Sequence, residues 1–103
     1  MKKIAAMADM RSIVMAPHNS NGPVSTTASV HLDFGTTNFR VQECFDDFSE
    51  TWVREAVPGC PVPRDGYIYA PDKPGLGIEL NEHLIKEHPY QERFFNLWDS
   101  IGT

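Results

Sequence analysis

Ile13, Val14, Met15 and Ala16 form an unbroken apolar run closed by Pro17. Side chains along an extended backbone point alternately to opposite faces, so the strand this run predicts requires cover on both sides, as strands in parallel sheets flanked by helices do. The next stretch supplies a helix. Asn19, Ser20, Asn21, Gly22 and Pro23 make a polar turn, and Pro23 suits a first helical turn because it has no amide hydrogen to lose. Val24, Ala28 and Leu32 then recur every four residues, beside small Ser25 and Ser29 that let a helix lie close to a sheet. Gly35 is a stop signal. Beyond it Phe39, Val41, Glu43 and Phe45 alternate with Arg40, Gln42 and Cys44, the pattern of a second strand. The unit is βαβ, and the fold class is α/β.

Such a crossover makes its two strands parallel, so both end on one rim. His18 directly follows the first strand and Glu43 lies near the end of the second. Neighbouring strands stand only about 4.8 Å apart, so an imidazole and a carboxylate are expected to converge where parallel α/β sheets bind ligands. A histidine there can act as a general base when a carboxylate fixes its tautomer, yet no second-strand residue clearly supplies that partner. The plain alternative is a hydrogen-bonded structural histidine. Glu43 is placed on one face with Phe39 and Val41, where ionisation is costly unless the group is paired, hydrated or ligand-bound. Its plain alternative is a salt bridge to some residue outside this pattern.

Elsewhere the signals are structural. Ile4, Met7 and Ala8 have helical spacing, but no Ser, Thr, Asp or Asn precedes them to cap a helix. Asp46, Asp47 and Glu50 have the chemistry of hard-metal ligands, but in polar, flexible sequence they read more simply as a solvated acidic loop. Pro58, Gly59, Pro61 and Pro63 exclude long regular elements. Tyr67, Ile68 and Tyr69 predict a short strand, and Asn81 predicts a helix cap, with the helix ending near His88 before Pro89. His83 and His88 are five apart rather than four, so they do not form a helical zinc pair and are expected at the surface. Ser20, Ser25 and Ser29 lack the GxSxG turn, and Gly75 and Gly77 lack a phosphate-cradling GxGxxG. Phe94, Phe95 and Trp98 have helical spacing and need something to bury against.

Composition removes several classes of function. With nine Lys and Arg against fourteen Asp and Glu, the net charge is −5, which provides no basic field for nucleic acid. No apolar run approaches the roughly twenty residues that cross a bilayer, so no membrane role is expected. Lys2 and Lys3 imitate the start of a signal peptide, but Asp9 and Arg11 interrupt the apolar stretch, so the expected location is the cytoplasm. Cys44 and Cys60 fit neither a CxxC motif nor a zinc site and read as two reduced thiols.

Ala16-Pro17-His18-Asn19, then Gly22-Pro23, Asn38-Phe39 and Val41-Gln42-Glu43, resemble the mandelate racemase and muconate lactonizing branch of the enolase superfamily, most of all its sugar-acid dehydratases of the galactonate type. Asp65-Gly66 and Pro74-Gly75-Leu76-Gly77-Ile78-Glu79 resemble that family's carboxyl-terminal segment, in the same order. The resemblance implies a partial TIM-type barrel, comprising its last βα units, with a tail that belongs to the capping region. Residues 1–45 are then a helix-strand-helix-strand barrel segment. Residues 46–103 are a loop-rich segment with a short strand and helices that pack on the barrel or cap. His18 matches the base that removes the proton alpha to a carboxylate. Glu43 matches the glutamate that hydrogen-bonds the substrate carboxylate and helps stabilise the enediolate.

The implied reaction is elimination of the beta hydroxyl of an aldonate to give a 2-keto-3-deoxy acid, with Mg2+ as cofactor. The family's magnesium ligands, and the aspartate that pairs with its catalytic histidine, come from earlier barrel strands that this sequence does not contain. No metal ligand is therefore assigned here. A barrel takes about 250 residues, so the expected partners are the sugar acid, an N-terminal barrel and cap portion, and further copies of the chain. The sequence leaves three rivals open: a racemase or epimerase that begins with the same proton abstraction, a noncatalytic remnant that associates through its apolar surfaces, and a self-contained binding module.

Overall fold

A computed structural model describes residues 1–70 and 72–92 of the chain. Helix α1 (Lys2–Asp9) begins without a side-chain cap, and α2 (Pro23–Phe34) starts on Pro23 and stops at Gly35. Between and after them lie two short strands, β1 (His18–Asn19) and β2 (Glu43–Cys44). They pair in parallel, with His18 opposite Glu43 and Asn19 opposite Cys44. A three-residue 3-10 turn (Asp46–Phe48) leads to α3 (Thr51–Glu55), and α4 (Glu82–Glu87) follows the Pro/Gly-rich stretch. Asn81 caps α4 by accepting the Leu84 amide at 3.2 Å. No helix among the described residues is long and apolar enough to cross a membrane.

The strands are shorter than the sequence predicts. Ile13–Ala16 is not a strand covered on both faces: Ile13 and Val14 are more than half exposed, and only Met15 makes an isolated parallel bridge, to Phe39. The register then advances by one. Met15 lies opposite Phe39, but His18 lies opposite Glu43, so the second segment holds one more residue than the first between these pairs. Pro17 has no amide to donate into the ladder, and its carbonyl instead accepts the Glu43 amide at 2.9 Å and the Gln42 side chain at 3.0 Å. The extra residue acts as a bulge and breaks the alternation on which the shared face of Phe39, Val41 and Glu43 was predicted. Phe39 and Val41 line a cavity beside α2, and Glu43 does not.

The buried face of α2 also differs from the expected stripe. Pro23, Thr26, Thr27, Val30 and Asp33 are buried, whereas Val24 is 42% exposed and belongs with Ala28 to the outer side. A four-residue repeat marks an apolar stripe without saying which of two adjacent faces meets the sheet. The buried threonines are satisfied: the Thr27 hydroxyl donates to the Pro23 carbonyl at 2.7 Å, and the Thr26 hydroxyl accepts from Asn19.

Residues 64–67 form a tight turn rather than a strand at Tyr67–Tyr69. Arg64 and Tyr67 exchange backbone hydrogen bonds of 2.8 and 2.9 Å around Asp65 and Gly66, both at positive φ, which is Asp-Gly hairpin geometry. The stretch from 56 to 60 is bound to the stretch from 77 to 81. The Glu79 amide donates to the Pro58 carbonyl at 3.0 Å and the Asn81 amide donates to the Ala56 carbonyl at 2.9 Å. At Gly59, φ is +89° and an added Cβ would lie 2.7 Å from the Gly77 carbonyl oxygen. Gly59→Ala is therefore expected to destabilise the chain by about 1–3 kcal/mol in urea unfolding followed by circular dichroism. An unchanged midpoint would show that these segments do not approach so closely.

Within the acidic trio Asp47 and Glu50 are exposed, as expected of a solvated loop, and Asp46 is the exception. Asp46 is buried, Asp47 pairs with Arg54, and Glu50 accepts the Trp52 indole N–H at 3.0 Å. His83 and His88 are both exposed, as expected, and His88 stacks flat on Trp52 with ring centroids 4.0 Å apart. The predicted aromatic stripe of Phe94, Phe95 and Trp98 lies outside the described residues. Among the described residues the buried apolar side chains are few and small: Ala5, Val30, Ala56 and Val57. Many large ones are exposed, among them Ile4, Met7, Ile13, Val14 and Phe34.

Candidate active site

The parallel pairing places His18 and Glu43 side by side as the first residues of the two short strands, rather than just after the first strand and near the end of the second as the sequence predicts. The imidazole Nδ1 lies 2.8 Å from Glu43 Oε2, a hydrogen bond between two half-exposed side chains. Glu43 thus has its partner within the chain, and His18 has the orienting carboxylate that its neighbours in sequence did not reveal. With Glu43 ionised, Nδ1 must carry the shared proton and donate it. Nε2 is then left with a lone pair, the arrangement a general base needs. Phe45 meets the imidazole edge-on, with ring centroids 5.6 Å apart, and limits its rotation.

A polar network behind this pair ties the two strands to α2; in the sequence Asn19 reads as a turn and motif residue, Gln42 as a strand and motif residue and Ser25 as a small spacer, and nothing singles out Thr26. Asn19, 2% exposed, donates from Nδ2 to the Thr26 hydroxyl at 2.6 Å. Its Oδ1 accepts the Ser25 hydroxyl at 2.6 Å and the Asn21 amide at 3.4 Å. The residue after His18 is therefore tied to the first turns of α2. Gln42 does the same on the other strand, donating from Nε2 to the Pro17 and Glu43 carbonyls at 3.0 and 2.6 Å. The available signal was position: polar residues directly flanking His18 and Glu43 have to satisfy backbone groups where the ladder ends.

The other candidates stay apart from this pair. Burial, with the Asp46 charge second, pushes the Cys44 and Cys60 thiols up, so neither is an activated nucleophile. Among the described residues no three His, Cys, Asp or Glu side chains converge as metal ligands. An imidazole and a single carboxylate make a poor donor set for magnesium, which requires near-octahedral oxygen ligands. The residues present do not fit a magnesium site.

Comparison with known proteins gives this geometry a context. Residues 1–84 match the family described as Enolase C-terminal domain-like, MR_MLE_C. A D-galactonate dehydratase family member from Musicola paradisiaca is 39% identical over 90 residues, which are 85% of this chain and 21% of that protein. A mandelate racemase/muconate lactonizing enzyme from Jannaschia sp. CCS1 superposes with a TM-score of 0.80 at 35% identity, covering 92% of this chain and 24% of the other. An enolase from Pantoea ananatis with bound D-gluconate and magnesium superposes with a TM-score of 0.73 at 38% identity, covering 82% of this chain and 20% of the other. The chain spans about a fifth of the length of the curated relatives it matches.

Proposed function

This chain belongs to the enolase C-terminal domain-like family of the mandelate racemase/muconate lactonizing branch, and from that premise we propose that it supplies the base and one acid of a sugar-acid dehydratase site. In this reading residues 1–45 form the last strand-helix units of a TIM-type barrel. Residues 46–103 pack on the barrel or its cap, and the remaining barrel strands come from polypeptide beyond these residues. The observation that carries the reading is the hydrogen bond from His18 to Glu43 across two parallel strand ends.

The proposed chemistry starts at His18 Nε2, which takes the proton alpha to the carboxylate of an aldonate. Nδ1 keeps its hydrogen bond to Glu43 Oε2, which orients the ring and accepts from the imidazolium as it forms. Glu43 has a second oxygen for the substrate carboxyl group. Contact there requires a shared proton, because two ionised carboxylates in contact repel. Charge that develops on the substrate carboxyl is then met by a hydrogen bond, which lowers the barrel-bound barrier to an otherwise very weak carbon acid. The beta hydroxyl then leaves as water, taking up the proton that the imidazolium carries, and the enol so formed tautomerises, with protonation at C3 from solvent, to a 2-keto-3-deoxy acid. The Pantoea ananatis structure supports this substrate class by its bound D-gluconate. No step is assigned to magnesium through residues of this chain.

A second reading rests on the fold match to a mandelate racemase/muconate lactonizing enzyme: the same proton abstraction followed by reprotonation, with no loss of water. The test is product analysis in D2O of an enzyme that contains this segment, using D-gluconate and D-galactonate as substrates. Dehydration yields a 2-keto-3-deoxy acid. Recovery of an epimer deuterated at the alpha carbon would replace dehydration with epimerisation, and absence of both products would reject both.

A further inference from the structure

Beside α2 lies a cavity of about 320 Å³ lined by Val30, Asp33, Phe34, Phe39, Val41 and Gln42, together with the turn at 66–68 and Arg40; neither His18 nor Glu43 lines it. Its walls are mainly apolar, yet it holds the least satisfied polar groups among the described residues. Asp33 is 7% exposed, and neither of its carboxylate oxygens has a hydrogen-bond partner. Gln42 Oε1 is also buried without a donor. Its amide cannot turn over to correct this, because Nε2 is committed to the Pro17 and Glu43 carbonyls. Three buried acceptors therefore share the lining of one cavity and lack donors. A buried acceptor left without a donor costs about 1–3 kcal/mol, so three on one cavity wall call for a donor that enters the cavity.

We propose that this cavity receives the guanidinium group of an arginine carried by the polypeptide that packs against this edge of the sheet. Guanidinium offers five N–H donors in a planar fork and no acceptor, so it can pair with a carboxylate through two bonds and still reach an amide oxygen. Its flat faces and methylene stem suit walls made of Phe34, Phe39, Val30 and Val41. An ammonium has no such flat face. Arg40 lines the same cavity but makes no ion pair with Asp33. Phe34 and Tyr67, which also line the cavity, are largely exposed, so their rings can turn aside for an entering side chain. The inference rests on the reading that the strands belong to a larger barrel. It takes the occupant to be protein because the chain spans only about a fifth of its relatives' length. It does not use the catalytic assignments of His18 and Glu43.

The test titrates the full 103-residue chain with methylguanidinium, methylammonium and the capped peptide acetyl-Val-Arg-Val-amide, following backbone amide signals by NMR. The expected result is saturable shifts of Val30, Asp33, Phe39 and Gln42 with both guanidinium probes, weaker by about tenfold or more with methylammonium. The peptide is expected to bind more tightly than methylguanidinium, because its apolar flanks meet the apolar walls. Asp33→Asn and Asp33→Ser, each checked by circular dichroism for retained helix, should lose the response. Glu79→Gln, an exposed acid outside the cavity lining, and Arg40→Ala should keep it. Absence of saturable shifts, or shifts that survive both Asp33 variants, would overturn the site. Equal binding of peptide and methylguanidinium would overturn the protein source and point to a free guanidino compound, leaving the dehydratase reading untouched.

Discussion

In an enzyme that contains this segment, His18→Asn is expected to lower kcat by about 10²–10⁴-fold, the range lost when a positioned acid or base is removed from proton transfer. The amide of asparagine can still donate to Glu43 from roughly the place of Nδ1, so the strand ends should remain joined at their 2.8 Å contact. What disappears is the lone pair on Nε2. Binding of the aldonate should change far less than turnover, because the imidazole nitrogen acts on the reacting proton rather than on the ground-state carboxylate. Exchange of the alpha proton with D2O should fall in step with kcat. Normal turnover by a folded variant would remove His18 from the mechanism.

The second large effect concerns stability and pH. Burial raises the Asp33 carboxyl from 3.8 to about 6 in the fold. Below pH 3.8 the group is neutral both folded and unfolded, so the fold bears no ionisation cost. As the pH rises toward and through about 6, the unfolded chain ionises first and stability is lost, by up to ~3 kcal/mol once the folded group has also ionised. Asp33→Asn should cancel this loss. Its urea midpoint should match the wild type near pH 3 and exceed it at pH 8, and the difference between the two proteins should develop between those limits. A constant difference across the range would mean that the buried carboxyl is not the titrating group. Asp33 also links this prediction to the proposed arginine, since a bound guanidinium would favour the ionised form and bring the carboxyl back down.

The sequence made the local signals legible and left the long-range ones hidden. Pro23 and Gly35 mark the two ends of α2, and Asn81 marks the start of α4, because each satisfies or removes a terminal backbone group within a few residues. The parallel crossover was legible too, since a helix between two strand signals leaves little topological freedom. The one-residue register step was not. It arises where Pro17 interrupts the ladder and Gln42 fills the gap, and alternation counted along one segment cannot detect a change in the other. That step separates Glu43 from Phe39 and Val41 and leaves it for His18. The burial of Asp33 and Asp46 was hidden for a related reason: polarity marks a residue as surface unless its tertiary surroundings are known.

Membership of the enolase C-terminal domain-like family was legible only through family motifs. Composition shows that 103 residues suit one small unit, yet the described core holds little beyond alanine and valine side chains. Exposed Ile4, Met7, Ile13 and Val14 all lie within the first fourteen residues.

The most direct measurement is the ¹⁵N spectrum of the histidine rings in the full-length chain, recorded with Glu43 intact and as Glu43→Gln. His18 is expected to hold its proton on Nδ1, with a protected Nδ1–H signal and a bare Nε2, and this signal should shift and lose protection in the variant while His31, His83 and His88 stay unchanged. A His18 ring protonated on Nε2, or one indifferent to the loss of the Glu43 carboxylate, would contradict the His18–Glu43 pairing.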